Sequence, residues 1–85
     1  MKYFVYILYS KKLDKYYIGT SHDPEKRLKY HNIGKKGWTK RGIPWELAFQ
    51  KEFRDKLTAM KEERQIKNQK SKKYIEKLIS GEYTL

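Results

Sequence analysis

Three groups of residues in this 85-residue chain carry side chains suited to chemistry on a charged substrate. The first is a pair of tyrosines. YFVYILY, residues 3–9, is an aromatic and β-branched run suited to a strand, and YYIGT after the polar break SKKLDK reads as a second. A hairpin closed about residues 11–14 sets Ser10 opposite Lys15, Leu8 opposite Tyr17 and Tyr6 opposite Gly19. Side chains alternate along a strand and cross-strand partners share a face, so Tyr6 and Tyr17 lie on one side. Val5, Ile7 and Ile18 lie on the other and make the better core set. Two hydroxyls then stand on a partly open face, although cross-strand aromatic packing alone accounts for the same pattern.

The second group is Arg27 and His31, four residues apart and therefore neighbours on one helical face. An arginine presents fixed donors to phosphate oxygens, and a histidine moves protons near neutral pH. A merely solvated helix face carries such a pair equally well. The third is Glu63, flanked at helical spacing by Ala59, Met60 and Ile66, whereas Glu62 turns roughly 100° away. A carboxylate within an apolar stripe needs a reason. Either it pairs with Arg27, Arg64 or Lys67, or it holds a divalent cation, for which Mg²⁺ requires only one or two protein carboxylates.

These residues need elements to position them. Asp23 suits an N-cap, Pro24 the first helical position and Glu25 the positive helix start, giving a helix that fades around His31 to Gly34. IGKKGWTKRGIP, with three glycines and a proline, reads as a basic loop. WELAFQKEF reads as a third strand with Trp45, Leu47 and Phe49 on one face. Asp55 then caps a helix through about Asn68, and Ser71 caps a last one, KKYIEKLI. The order is β-β-α-β-α-α, an α+β fold in one domain over residues 1–85.

Composition narrows the partners. The net charge is +11, and from Lys26 to Arg41 there are seven basic residues and no acidic one. Such an excess attracts polyanions, and a solubilising surface would mix both signs. No helix pairs a broad apolar face with its basic one, which favours nucleic acid over a membrane. Lys35, Lys36, Lys40 and Arg41 are the candidate phosphate contacts, and contacts of this kind position without reading sequence. Trp38 either stacks on an unpaired base or packs the loop. The chain has no cysteine, which removes disulfides and thiolate metal sites and fits a reducing, cytoplasmic setting. MKYFVYILYS reads as a strand and not as a signal peptide.

FVY at 4–6, YIG at 17–19, Arg27 and His31 on the next helix, and AMKEERQIK around Glu63 resemble the GIY-YIG endonuclease superfamily over nearly the whole chain. The likeness is greatest to small stand-alone bacterial members, whose basic loop resembles GKKGWTKRGIP. It implies a three-stranded antiparallel sheet flanked by helices, and metal-dependent hydrolysis of DNA phosphodiesters, structure-selective and serving repair or recombination. Tyr6 matches the tyrosine of the first motif half, Tyr17 that of the second, Arg27 the catalytic arginine and Glu63 the metal-binding glutamate, with Mg²⁺ or Mn²⁺ as the ion. His31 falls at a frequent histidine. Phe4 stands where the first motif has glycine, and Asn68 is the nearest candidate for a late asparagine used by some members. The lack of a second DNA-binding domain admits a protein partner that supplies target choice. A non-catalytic nucleic-acid-binding module that keeps the fold is the alternative.

Overall fold

The computed structural model describes residues 2–34 and 37–84. Strand β1 (Tyr3–Ser10) is central, with β2 (Lys15–Ser21) on one side and β3 (Trp45–Phe53) on the other, all antiparallel. The hairpin has the expected register, with Ser10 opposite Lys15, Leu8 opposite Tyr17 and Tyr6 opposite Gly19. Its turn carries Asp14 in the left-handed region (φ 52°). The Asp14 carboxylate accepts from Tyr9 Oη at 2.7 Å and pairs with the Lys72 ammonium.

Three helices follow from their caps. In α1 (Pro24–Ile33), Asp23 accepts from the Lys26 amide at 3.2 Å, and left-handed Gly34 (φ 70°) ends the helix. In α2 (Lys56–Gln69), Asp55 accepts from Thr58 N at 2.8 Å. Ser71 does the same for Tyr74 N at 3.1 Å, starting α3 (Lys72–Ile79). The stretch expected to be a loop contains a short 3₁₀ helix over Trp38–Gly42.

The sheet carries a core on each face. On one side Val5, Ile7 and Ile18 are buried against Ala59 and Ile66 of α2 and Leu78 of α3. On the other, Tyr6, Leu8 and Trp45 are buried, with Leu28 of α1 packed on them. The Tyr6 face is therefore not an open one at its centre, because the indole of Trp45 fills it.

Strand β3 departs from the simple alternation. Ile7 pairs with Phe49 but Leu8 pairs with Leu47, so one extra residue, Ala48, sits between the two pairs. A bulge of this kind shifts the phase of a strand by one residue and exchanges its faces. Trp45 and Leu47 accordingly join Tyr6 and Leu8, whereas Phe49 and Phe53 join Val5 and Ile7. The expected common face of Trp45, Leu47 and Phe49 is corrected on this ground.

The end of α1 is fastened to the start of β3 by one side chain. Asn32 Oδ1 accepts from Trp45 N at 2.6 Å and its Nδ2 donates to Trp45 O at 3.1 Å, as a neighbouring strand would. Trp45 Nε1 donates to Thr39 O at 2.7 Å, and Ser10 Oγ to Gly42 O at 2.7 Å. These buried and part-buried bonds tie the basic segment to the sheet.

Candidate active site

The site is built outward from Tyr6, which is 1% exposed. Its ring lies over Gly19, its partner across the strands, and a Cβ at position 19 would stand 2.6 Å from Tyr6 Oη. No real side chain tolerates that approach, so the glycine of YIG is the opening through which the hydroxyl passes. Beyond it, the Arg27 guanidinium lies close enough to act on the hydroxyl. Burial pushes the Tyr6 hydroxyl above its ordinary range, and the neighbouring Arg27 guanidinium offsets this only in part. Nearby Tyr17 and Glu63 push it further in the same direction.

Tyr17 stacks on Tyr6 with ring centroids 6.3 Å apart, and the His31 ring lies 4.5 Å from that of Tyr17. His31 is 5% exposed, and neither ring nitrogen has a hydrogen-bond partner among the described residues. Burial first, and the Arg27 charge second, hold its pKa below the usual histidine value. The imidazole is thus neutral at neutral pH. Arg27 itself spans two contacts, since its guanidinium carbon sits 4.8 Å over the Tyr30 ring while its donors reach Tyr6.

Glu63 approaches from α2. It stands at the margin of the apolar stripe, because Ala59 and Ile66 are buried but Met60 is 41% exposed. Its side chain is largely covered and pairs with Lys67 Nζ at 2.5 Å. Of the three ion-pair partners the sequence admits, the fold uses Lys67. Glu63, Arg64, Lys67 and Asn68 line one hollow of about 240 Å³, which also brings the late asparagine beside the glutamate. Among the described residues no three His, Cys, Asp or Glu side chains gather as a metal cluster. A single carboxylate facing an open hollow is a donor set that suits Mg²⁺, which keeps most of its waters. The Lys67 ammonium shows that this carboxylate already accepts a cation.

The basic segment divides. Lys40 and Arg41 are exposed at the surface, and Lys35 and Lys36 lie outside the described residues. Trp38 keeps half of its surface open (50%) while its ring contacts Tyr17 at 6.1 Å and Trp45 edge-on at 5.7 Å. It both packs the loop and offers a free face.

A family model described as the GIY-YIG catalytic domain matches residues 2–75. The chain belongs to the GIY-YIG family. That family is of nuclease type, which makes nucleic acid the substrate class it suggests. The chain is also similar to the solution NMR structure of the UPF0213 protein BH0048 from Bacillus halodurans, at 34% identity and a TM-score of 0.59. The alignment covers 94% of this chain and 84% of that one. A comparison with curated proteins found no match.

Within this GIY-YIG frame, two contacts were not read from the sequence. Tyr30 under Arg27 was visible as a pair three residues apart on a helix. The Asn32 clamp had no signal, since its partner is a backbone segment thirteen residues away.

Proposed function

We propose that this GIY-YIG protein hydrolyses DNA phosphodiester bonds in a divalent-metal-dependent reaction. The observation that carries the reading is the junction at Gly19. Tyr6 Oη there meets the Arg27 guanidinium, and the Glu63 carboxylate lies close enough for its charge to act on the same hydroxyl. Glu63 would hold the ion, which supplies Lewis-acid polarisation of the scissile phosphate.

The chain's own groups do the rest. Arg27, pre-positioned by Tyr6 and Tyr30, binds non-bridging phosphate oxygens and meets the charge that grows on them. Tyr6, its pKa raised, stays protonated at neutral pH and orients the attacking water as a hydrogen-bond donor instead of acting as its base. His31, held neutral, is the member whose ordinary titration range lies nearest neutrality and which keeps a free lone pair. Lys40 and Arg41 hold flanking phosphates, and the free face of Trp38 stacks on an unpaired base, which favours flaps and branches over plain duplex.

The test is plasmid nicking and cleavage of branched and single-stranded DNA with Mg²⁺ or Mn²⁺. Arg27→Ala and Glu63→Ala are expected to lower cleavage by at least about 100-fold, the scale of losing one charge-stabilising donor, with DNA binding largely kept. Cleavage untouched by both substitutions overturns the mechanism. Binding with no cleavage of any substrate leaves the non-catalytic module, and cleavage that appears only with an added protein leaves the partner-dependent one.

A further inference from the structure

A second hollow, of about 330 Å³, lies between β2 and the junction of α2 with α3. Tyr16, Ile18, Ile66 and Ile75 give it an apolar floor. Its volume is at the lower end of the roughly 300–1,000 Å³ typical of small-ligand pockets, enough for one flat ring system and not for a helix.

The rim has a different character. Lys15, Lys67, Lys70 and Lys72 surround the floor, with Asp14 the one carboxylate among the lining residues. Lys72 pairs with Asp14 and Lys67 with Glu63, and among the described residues no carboxylate is bonded to Lys15 or Lys70. An apolar slot ringed by unneutralised ammonium groups is complementary to a flat aromatic ring flanked by anions.

Two further observations point to the same place. Among the described residues, two other than glycine have positive φ, Asp14 (52°) and Lys70 (49°), and both line this hollow. Lys70 closes α2 at a position where glycine or asparagine would cost less. A lysine kept in that conformation is a strain to be explained, and aiming its ammonium over the hollow explains it. The hollow also shares Lys67 with the Glu63 hollow. From Glu63 to Lys70 the helix advances about 10 Å, roughly three stacked nucleotides at about 3.4 Å each.

We propose that this hollow is a subsite for an unpaired nucleotide of the bound strand, its base on the Tyr16–Ile75 floor and its flanking phosphates on Lys15 and Lys70. The inference rests on the nucleic-acid reading above, though not on cleavage. It makes a single-stranded segment next to the cut part of what the protein recognises. Duplex cannot use the slot, because its bases are already stacked and paired.

Binding of a single-stranded oligonucleotide containing 2-aminopurine, and of a blunt duplex, is measured without divalent metal across a salt series. The wild-type chain is expected to prefer the single strand and to change 2-aminopurine fluorescence. Lys15→Gln with Lys70→Gly is expected to cut the salt slope by about 0.7 for each phosphate that is no longer neutralised, while Lys70→Gly raises the melting temperature by relieving the left-handed lysine. Tyr16→Leu keeps an apolar floor but is expected to weaken single-strand binding about fivefold or more, the lower end of base-stacking losses. Lys61→Gln with Lys73→Gln removes equal charge elsewhere and is expected to leave the fluorescence response intact.

Equal losses in the two lysine pairs, or an unchanged fluorescence signal in the wild type, overturn the proposal. So does binding of a glutamate-rich, phenylalanine-containing peptide that needs Lys15 and Lys70 when the oligonucleotide does not. Plasmid nicking in Mn²⁺ separates the two readings. Groove-dependent binding without nicking overturns the nuclease assignment alone, and nicking with groove-independent binding overturns the subsite alone.

Discussion

Gly19 and His31 show how single positions are constrained here. With 2.6 Å between a Cβ at position 19 and Tyr6 Oη, Gly19→Ala forces the Tyr6 ring off its path and away from Arg27. Overpacking of this kind costs about 1–3 kcal/mol. The melting temperature is expected to fall by several degrees, and any cleavage to fall far more than binding does. His31 makes a pH prediction. Its folded-state pKa is lowered by burial and by the Arg27 charge, so the unfolded chain takes up the proton first. Stability is therefore full above the ordinary histidine value of 6.5 and is lost as the pH falls from there towards the depressed folded value. Melting curves are expected to show this loss between about pH 7 and 5, and His31→Gln is expected to remove that part of it.

At the level of elements, the hairpin register, the three caps and the order of strands and helices were legible because each rests on local chemistry. Asp23, Asp55 and Ser71 each accept from an amide three residues on, and the turn length sets Tyr6 against Gly19. Two features were not legible. The bulge at Ala48 follows from how β3 fits β1, and an alternating run such as WELAFQKEF carries no mark of where its phase will slip. The burial of Tyr6 depends on Trp45, which reaches it only because of that slip and the Asn32 clamp. The candidate site was legible as residue types, since Arg27, His31 and Glu63 are conspicuous where they stand. The sequence narrowed the partner of Glu63 to three cations, of which the fold uses Lys67, and the approach of Arg27 and Glu63 to Tyr6 required the helices to be placed on the sheet.

For the whole molecule, a charge of +11 on 85 residues makes salt the dominant variable in any binding measurement. Each duplex phosphate neutralised adds about 0.9 to the slope of log K against log salt, and each single-strand phosphate about 0.7. Titrations across a moderate range of salt are expected to give steep linear plots for any DNA. Sequence-scrambled oligonucleotides of equal length are expected to superimpose, because lysine contacts to phosphate carry no sequence information. Affinities that differ among scrambled sequences, or that do not change with salt, would contradict this.

The bulge at Ala48 has a consequence for how the protein tolerates change in length. Because the two faces of β1 are served by different halves of β3, the strand behaves as two short reading frames joined at one residue. Deleting Ala48 would leave a regular strand in which Leu47 and Phe49 still alternate, so Phe49 and Phe53 would keep to the side of α2 and α3, whereas straightening the strand with Ala48 retained would send them to the side that holds Trp45. Insertions or deletions near either end of β3 disturb one frame only. This position joins the layer that carries Tyr6 to the layer that carries the larger core, so it is where the strand can lose one residue without exchanging either face.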